Sequence, residues 1–445
     1  MRYAPPGLCL NDFALLSGPG SRYTVLHLQG PWTEQFDPVR METSYGRATS
    51  SDLVGWEPRG AVFGVGPPGR FDGSAVWTMH PFEYGAGLAM LYTGVAGVTA
   101  GGWPEQAIGL AHSELRDGTS WRRHGGEPVS RADPRWYRTG DGMGWRDPFV
   151  VPDDDGGGHW AMVVCASDAS RPVERAGCVA LATSRDLAHW DTHPPPLSPG
   201  RAAQLECPVL ERLGDGWLLL GSVGGIGGGS IETWTAPRLR GPWEPLGPLS
   251  PPGVYAPRIV TAPGGERVVL HTTPRRAGLR DTGAPGRGML AQPKVLAAGG
   301  AAPRMEWWSG LDRWLEEPLE GRPVAHGVAD IEVTGRLGVV LRAEGDDPAV
   351  TVGCDGARVW VTGPRGPSLA GALLPRPPRR LRVLTVGEYV EVYADGVFVL
   401  TALCYSGRPV AWSATTDGIT RPLPVRPLRL PEPGRDDASA VWPGP

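Results

Sequence analysis

The sequence lacks both long apolar runs and an excess of positive charge. No window approaches the ~18 uninterrupted apolar residues of a membrane-spanning helix, so we expect no membrane partner. The formal net charge of -4 offers no basic surface for a phosphate backbone, which argues against a nucleic-acid partner. Because the N-terminal stretch MRYAPPGLCLND has no apolar segment typical of a secretory signal, we expect a cytoplasmic location.

The usual metal-binding patterns are absent as well. The six cysteines include no C-x-x-C pair, and the nine histidines show no ligand spacing. For a chain of this length, scattered cysteines are more typical of buried free thiols than of a disulfide framework. We therefore expect free thiols, no metal site and no cofactor.

Glycine and proline, by contrast, are abundant, at 65 and 48 residues. They separate short apolar runs such as LAMLYTGV, HWAMVVCAS and GWLLLGSV, a pattern typical of strands joined by many turns. Helical periodicity is weak everywhere except in SGLDRWLEEPLEG, which suits a short connector. These features predict an all-β protein.

Four segments resemble one another and indicate an internal repeat. They are ATSSDLVGWEPRG from Ala48, AHSELRDGTSWRRHG from Ala111, ATSRDLAHWDTH from Ala182 and TAPRLRGPWEPLG from Thr235. Their starts are spaced by roughly 50 to 70 residues, near the upper end of propeller-blade repeats. With the stretch from Val254 to about Trp308, the four repeats predict a five-bladed β-propeller, with the tryptophan of each repeat as a packing residue.

The sequence changes character beyond about residue 325. Short alternating strands such as LGVVLRAEG, ARVWVTG and EYVEVYADG follow, some of them separated by Asp-Gly turns, which predicts a β-sandwich. We expect the propeller at 1–312, a connector at 313–328, the sandwich at 329–430 and a disordered tail at 431–445.

Three acids stand at the ends of hydrophobic strands, namely Asp12 in GLCLNDFALL, Asp147 in GMGWRDPFVV and Glu206 in AAQLECPVLERL. A propeller brings the innermost strand of each blade to one axial funnel, so acids from three blades can converge there. Buried carboxylates are costly unless they have partners or a purpose. Cleavage of a glycosidic bond needs two of them, one at the anomeric carbon and one to protonate the leaving oxygen. We therefore expect a carbohydrate substrate.

The motifs around these acids resemble those of family 32 of the glycoside hydrolases, which includes invertases, levanases and inulinases. The family's W-M-N-D-P-N-G is similar to CLNDFAL here, its R-D-P is present as Arg146-Asp147-Pro148, and its E-C as Glu206-Cys207. Its F-S-G-S resembles FDGSAV, and its W-G-H resembles the start of YGRATSSDL. The resemblance covers nearly the whole chain. The family shares a clan with family 68 and is related to the family 43 propellers.

By this resemblance Asp12 is the nucleophile, Glu206 the general acid/base and Asp147 the transition-state stabiliser, and cleavage of a β-fructofuranosidic bond retains configuration. The side chains expected to line the sugar site are Asn11, Gln29, Phe71, Ser74 and Arg146. Arg47 stands where the family has the histidine of W-G-H. We therefore add the hypothesis that Arg47 binds substrate and recognises an anionic or more elaborate sugar.

Two other functions stay open at this point. An enzyme similar to the family 43 arabinofuranosidases and xylosidases would use the first aspartate as a base on water and invert the configuration. A catalytically silent propeller would bind a sugar without cleaving it. Carboxylates about 5–5.5 Å apart indicate retention and about 6.5–9.5 Å inversion. The residues give no indication of the oligomeric state.

Overall fold

The computed structural model describes residues 3–18, 22–31, 42–140, 144–153, 159–225, 229–298, 302–364 and 368–430. The tail predicted at 431–445 lies outside these ranges. Strands dominate the described backbone, and its helices are the short 3-10 segments Val173–Arg175, Ala277–Leu279 and Ser309–Trp314. None of the helices in these ranges has the length and apolar character that crossing a bilayer requires.

Five antiparallel units follow one another along the chain. Blade one comprises β1 (Leu8–Gly18), β2 (Arg22–Pro31), β3 (Ser44–Ser50) and β4 (Glu57–Gly64), and blade two comprises β5 (Ala75–Tyr84), β6 (Gly87–Val98), β7 (Pro104–Ser113) and β8 (Arg122–Arg123). Blade three comprises β9 (Arg146–Asp153), β10 (His159–Ser167), β11 (Gly177–Ser184) and β12 (Asp191–Leu197). Blade four comprises β13 (Leu205–Leu213), β14 (Gly216–Val223), β15 (Ser230–Ala236) and β16 (Glu244–Pro248).

Blade five comprises β17 (Tyr255–Thr261), β18 (Arg267–Arg276), β19 (Pro285–Leu290), β20 (Lys294–Ala297) and β21 (Arg304–Trp307). The first strands of the blades, β1, β5, β9, β13 and β17, each contact the next, and β17 contacts β1. In addition, Leu10 of β1 pairs with Gly288 of β19. The ring is therefore closed between blades one and five, and the predicted five-bladed propeller is confirmed.

The sequence repeat corresponds to the turn before each outer strand. In blades one and three, Asp52 Oδ1 and Asp186 Oδ1 each accept the backbone N–H groups two and three residues further on, at 2.8 and 2.9 Å respectively. The tryptophan that follows each turn packs against a buried cluster, as the packing interpretation predicts. These residues are Trp56, Trp121, Trp190 and Trp243.

Two sheets form the C-terminal sandwich. One contains β22 (His326–Glu332), β27 (Arg380–Val386), β28 (Tyr389–Ala394), β29 (Val397–Leu403) and β32 (Arg426–Pro427). The other contains β23 (Leu337–Glu344), β24 (Asp347–Asp355), β25 (Arg358–Thr362), β26 (Ser368–Leu373), β30 (Arg408–Thr416) and β31 (Ile419–Pro422). Their inward residues form one core, and this part of the fold prediction is confirmed as well.

The two domains are joined by more than the chain itself. Glu306 of β21 pairs with Val397 of β29, so blade five continues into a sandwich sheet. Within the predicted connector, Leu315 and Leu319 form bridges to the end of the sandwich, and β22 begins at His326. All six cysteines are buried and free, as expected from their scatter.

Candidate active site

Each of the five innermost strands carries a β-bulge near its start. The bulged residues are Asn11-Asp12 in β1, Thr78 in β5, Asp147-Pro148 in β9, Cys207-Pro208 in β13 and Ala256-Pro257 in β17. A bulge leaves residues unpaired and re-aims their side chains. Five bulges around a closed ring therefore direct side chains from five blades toward one axis.

Three of the bulges share an unusual backbone conformation. Asp147, Cys207 and Ala256 each precede a proline and have φ values of 58°, 49° and 51°. This left-handed conformation costs an L-residue roughly 1–2 kcal/mol, so the surrounding sheet must hold it in place. For Asp147 the restraint includes a hydrogen bond from its own N–H to Thr93 Oγ1 at 3.0 Å. Strain of this kind concentrates at functional sites.

Asp12 and Asp147 meet at the axis. Carboxylate oxygens of these two residues and the Cys207 sulfur lie within 4.8 Å of one another. Asp147 Oδ2 accepts the backbone N–H of Cys207 at 2.9 Å, and the Thr78 hydroxyl donates to Asp12 Oδ2. Blades one to four thus contribute to a single cluster.

Arg146 connects Glu206 to this cluster. Its Nη2 donates to Glu206 Oε1 at 2.8 Å and also to Gln204 Oε1, while its Nε lies 3.7 Å from Asp147 Oδ2. The Arg146 side chain is 5% exposed, whereas that of Glu206 is 28% exposed. A buried cation therefore holds an accessible acid, and the three acids singled out in the sequence are linked.

The surroundings of Asp12 strongly change the pKa of its carboxyl group. Burial, followed by the charge of Asp147, raises the pKa of Asp12 from 3.8 to about 7. The hydrogen bond from Thr78 and the charge of Arg258 act in the opposite direction, and the charge of Glu42 adds to the increase. Neighbouring carboxylates resist ionising together. Asp12 therefore changes its charge near neutral pH.

Among the described residues, Asp12, Asp147 and Cys207 place donor atoms close enough together to share a metal ion. However, burial and the charges of Asp12 and Asp147 raise the pKa of Cys207 well above its ordinary value of 9.0. The protonated thiol leaves the acid–base chemistry of this cluster to its two carboxylates.

Asn11, predicted to bind sugar, is anchored on both sides of its amide. Its Nδ2 donates to Glu42 Oε1 at 2.7 Å, and its Oδ1 accepts the Tyr255 hydroxyl at 2.6 Å. Glu42 Oε1 also accepts Arg287 Nε at 2.8 Å. Within the described ranges these contacts leave the second amide hydrogen of Asn11 for a ligand.

The other predicted sugar ligands lie in blades one and two. Gln29 Nε2 donates to Ser44 Oγ at 3.2 Å, and Ser74 Oγ donates to the Ala96 carbonyl at 2.6 Å. The Phe71 ring packs in a core cluster that blades one and two share. Phe71 and Ser74 belong to the segment between β4 and β5, and these contacts anchor it to blade two. Their contact with a sugar stays a prediction.

Arg47 lies apart from the cluster. It pairs with Leu26 in the middle of β2, and its Nε donates to the Asp117 carbonyl at 2.9 Å. Asp117 follows β7, at the end of blade two that is remote from Thr78. Because the guanidinium is engaged at this junction between blades, a contact with a sugar at the carboxylate cluster does not fit the position of Arg47.

Several residues at the axis are not among those predicted from the sequence. For Tyr255 a signal existed, since Tyr255-Ala256-Pro257 repeats the pattern of the R-D-P and E-C-P segments. The others carry no motif and become visible only when strands from different blades meet. They are Glu42, Thr78, Gln204, Arg258 and Arg287.

Comparison with protein families gives one clear match to this chain. A family model described as the glycosyl hydrolases family 32 N-terminal domain matches residues 3–227. The sucrose-6-phosphate hydrolase of Escherichia coli is 27% identical over 288 residues, which are 60% of this chain. The match spans 55% of the length of that relative.

Two solved structures share the fold over almost the entire chain. The GH32 beta-fructofuranosidase of Bombyx mori superposes with a TM-score of 0.75 at 18% identity, covering 96% of this chain and 93% of its own. The sucrose-6-phosphate hydrolase of Lactobacillus gasseri gives a TM-score of 0.72 at 17% identity, covering 95% and 91%. At these identities the likeness establishes the propeller-and-sandwich fold.

Proposed function

The chain belongs to family 32 of the glycosyl hydrolases, and on that basis we propose that it cleaves a β-fructofuranosidic bond with retention of configuration. The observation that carries the proposal is the cluster of three carboxylates from three blades, joined through Arg146. The similarity to an enzyme named for sucrose 6-phosphate supports a small fructoside as the substrate.

In the first step, Asp12 Oδ attacks the anomeric carbon and Glu206 donates its proton to the leaving oxygen. The glycosidic bond breaks, a covalent fructosyl–Asp12 ester forms, and the alcohol departs. Asp12 is suited to the attack because it is half-buried and bonded by Thr78, which fixes its oxygen. Its ionised form is the reactive one, so the free enzyme should become active as the pH rises through about 7.

In the second step, Glu206 accepts a proton from water while the water oxygen bonds to the anomeric carbon. The ester to Asp12 breaks, and the two displacements together retain the configuration. Glu206 can exchange protons with water because its side chain is 28% exposed. Asp147, with Oδ2 already bound to the Cys207 N–H, has its other oxygen for sugar hydroxyls.

The test combines substrates with one variant. Sucrose, sucrose 6-phosphate, inulin, levan and an aryl fructofuranoside are assayed with the wild type and with Glu206→Gln. The variant should lose about 10²–10⁴-fold in kcat, because it cannot protonate the leaving oxygen. A wild type that binds these sugars without cleaving any of them would instead be a sugar-binding propeller.

Retention has a separate measurement. NMR recorded during the first minutes of hydrolysis should show β-fructofuranose as the first-formed anomer. If the α-anomer appears first, the reaction proceeds by single displacement and Asp12 serves as the base on water.

A further inference from the structure

We propose that the ion pair of Glu42 and Arg287 is a positioning device for the nucleophile, which fixes Asn11 and sets the balance of charge beside Asp12. The inference rests on the proposed function, because that function makes Asp12 the attacking group. Glu42 and Arg287 act through Asn11 and through their charge, and both lie beyond the three acids assigned to the chemistry.

The pair bridges the closure of the propeller ring. Glu42 precedes β3 in blade one, and Arg287 lies on β19 in blade five next to Gly288, which pairs with Leu10. Their side chains are 3% and 7% exposed. Removing two charges from water is unfavourable unless the geometry compensates, as it does here with an Nε–Oε1 distance of 2.8 Å.

Asn11 transmits the effect of the pair to the nucleophile. Glu42 Oε1 accepts from Asn11 Nδ2 and Arg287 Nε together, while Tyr255 holds the opposite side of the Asn11 amide. The backbone carbonyl of Asn11 also accepts the Thr272 hydroxyl at 3.3 Å. Because Asn11 and Asp12 form the same bulge, fixing the first residue restrains the backbone that carries the second.

Charge is the second route from the pair to Asp12. The groups that face Asp12 from the packed elements are Thr78, Asp147, Cys207, Tyr255, Arg258 and Glu42. After burial and Asp147, the charge of Glu42 raises the pKa of Asp12, and that of Arg258 lowers it. Arg287 pairs with Glu42, so removing the carboxylate and removing the guanidinium change the charge near the nucleophile in opposite directions.

Three variants test this arrangement through the pH dependence of kcat/KM on sucrose. Glu42→Gln removes a negative charge that raises the pKa of Asp12, so it should move the acid limb about one unit to lower pH. Arg287→Gln leaves Glu42 uncompensated and should move it about one unit to higher pH. The double variant restores neutrality, so its limb should return close to that of the wild type.

Shifts in the same direction, or no shift in either single variant, would overturn the proposal. A purely structural role lowers kcat without moving the limb in opposite directions. As a matched control, Asp153→Asn removes a buried carboxylate that pairs with Arg240 between blades three and four, and it should leave the limb in place. If neither single variant folds, the double variant decides: an acid limb displaced by about one unit from that of the wild type contradicts the proposal.

A readout independent of activity separates this inference from the proposed function. Titration of the Asp12 carboxyl by ¹³C NMR should show the same opposite shifts in the two single variants. If the wild type cleaves no fructofuranoside but the Asp12 titration moves as expected, the proposed function fails and the charge arrangement stands. If cleavage occurs but the titration is unmoved, only the inference about Glu42 and Arg287 fails.

Discussion

The propeller axis and the junction between blade five and the sandwich both hold ionisable groups away from water, but they treat them differently. At the junction, the side chains of Lys294 and Glu391 are 0% exposed, and Lys294 Nζ lies 2.5 Å from Glu391 Oε1. Lys294 also donates to the Gln292 carbonyl at 3.1 Å. Glu391 accepts further bonds from the hydroxyls of Tyr389 and Tyr393 and from the Gln292 amide.

At the axis, Asp12 receives one side-chain hydrogen bond from the described part of the chain, from Thr78, and it faces a second carboxylate, Asp147. The difference follows from what each site is proposed to do. A carboxylate that must form and break a bond keeps an unfavourable charge, whereas a charge that only joins two domains is fully satisfied. Substitutions at the axis and at the junction should therefore differ in their effects on activity and on stability.

The largest effect is expected for Asp12→Asn. Without a nucleophile, kcat on sucrose should fall by about 10⁴-fold or more. Asp52→Asn serves as a control in the same blade, because Asp52 caps a turn far from the axis and its variant keeps the capping oxygen. Comparable losses in both variants would mean that activity follows the stability of blade one and not the chemistry at Asp12.

The Asp12→Asn variant should also be more stable than the wild type at alkaline pH. The pKa of Asp12 is raised from 3.8 to about 7 in the folded protein, so its contribution to stability is full below pH 3.8 and is lost as pH rises through 7. Asparagine cannot ionise and avoids that loss. Because Asp12 is half-buried, we expect a gain of about 2 kcal/mol in unfolding free energy at pH 8, and little at pH 4, by urea denaturation.

The next largest effect is the loss of stability expected for Lys294→Met at the junction. Removing the cation leaves Glu391 charged, buried and unpaired, which should lower the unfolding free energy by about 3–5 kcal/mol. The double variant Lys294→Met/Glu391→Leu should regain most of this loss, since no uncompensated charge remains. Thermal unfolding at fixed pH measures both.

The control for the junction is an exposed pair on a neighbouring strand. Arg304 and Glu306 are 54% and 36% exposed, so Arg304→Met should change stability by less than about 1 kcal/mol. If Lys294→Met costs no more than this control, the junction is not the tightly satisfied site that its contacts suggest.

A smaller, directional effect is expected for Thr78→Val. The variant removes the hydrogen bond that favours ionised Asp12, so the pKa of Asp12 should rise above its value of about 7. The acid limb of kcat/KM should move about one unit to higher pH. Thr233→Val is the matched control, because Thr233 is equally buried but bonds to the Gly247 carbonyl in blade four. A limb that moves in the control and not in Thr78→Val would contradict the assignment.

The repeats, the five blades and the convergence of the three acids could be predicted from the sequence. The turn, tryptophan and strand pattern is local, so it survives as a visible repeat in the chain. Contacts across blades leave no local pattern. Thr78 lies in VWTMHPF without any catalytic motif, yet the ring places its hydroxyl on Asp12.

The same limit applies to the junction and to the pair beside Asn11. Lys294 and Glu391 are 97 residues apart, and Glu42 and Arg287 are separated by 245. Their identity as partners depends on closure of the ring and docking of the sandwich. Neither event has a signature in residue spacing, so these contacts could not be predicted from the sequence.

The smallest effect is expected for Arg47→Ala, which concerns a predicted sugar ligand that lies at a junction between blades. The Arg47 guanidinium is bound to the Asp117 carbonyl at 2.9 Å, at a junction remote from the bulges. We therefore expect kcat/KM to change by less than about twofold on sucrose and on sucrose 6-phosphate alike. Losing a partly exposed hydrogen bond should lower stability by about 1 kcal/mol at most. A tenfold loss confined to the phosphorylated sugar would restore Arg47 as an anion-recognition residue, and it would extend the charged site beyond the axis.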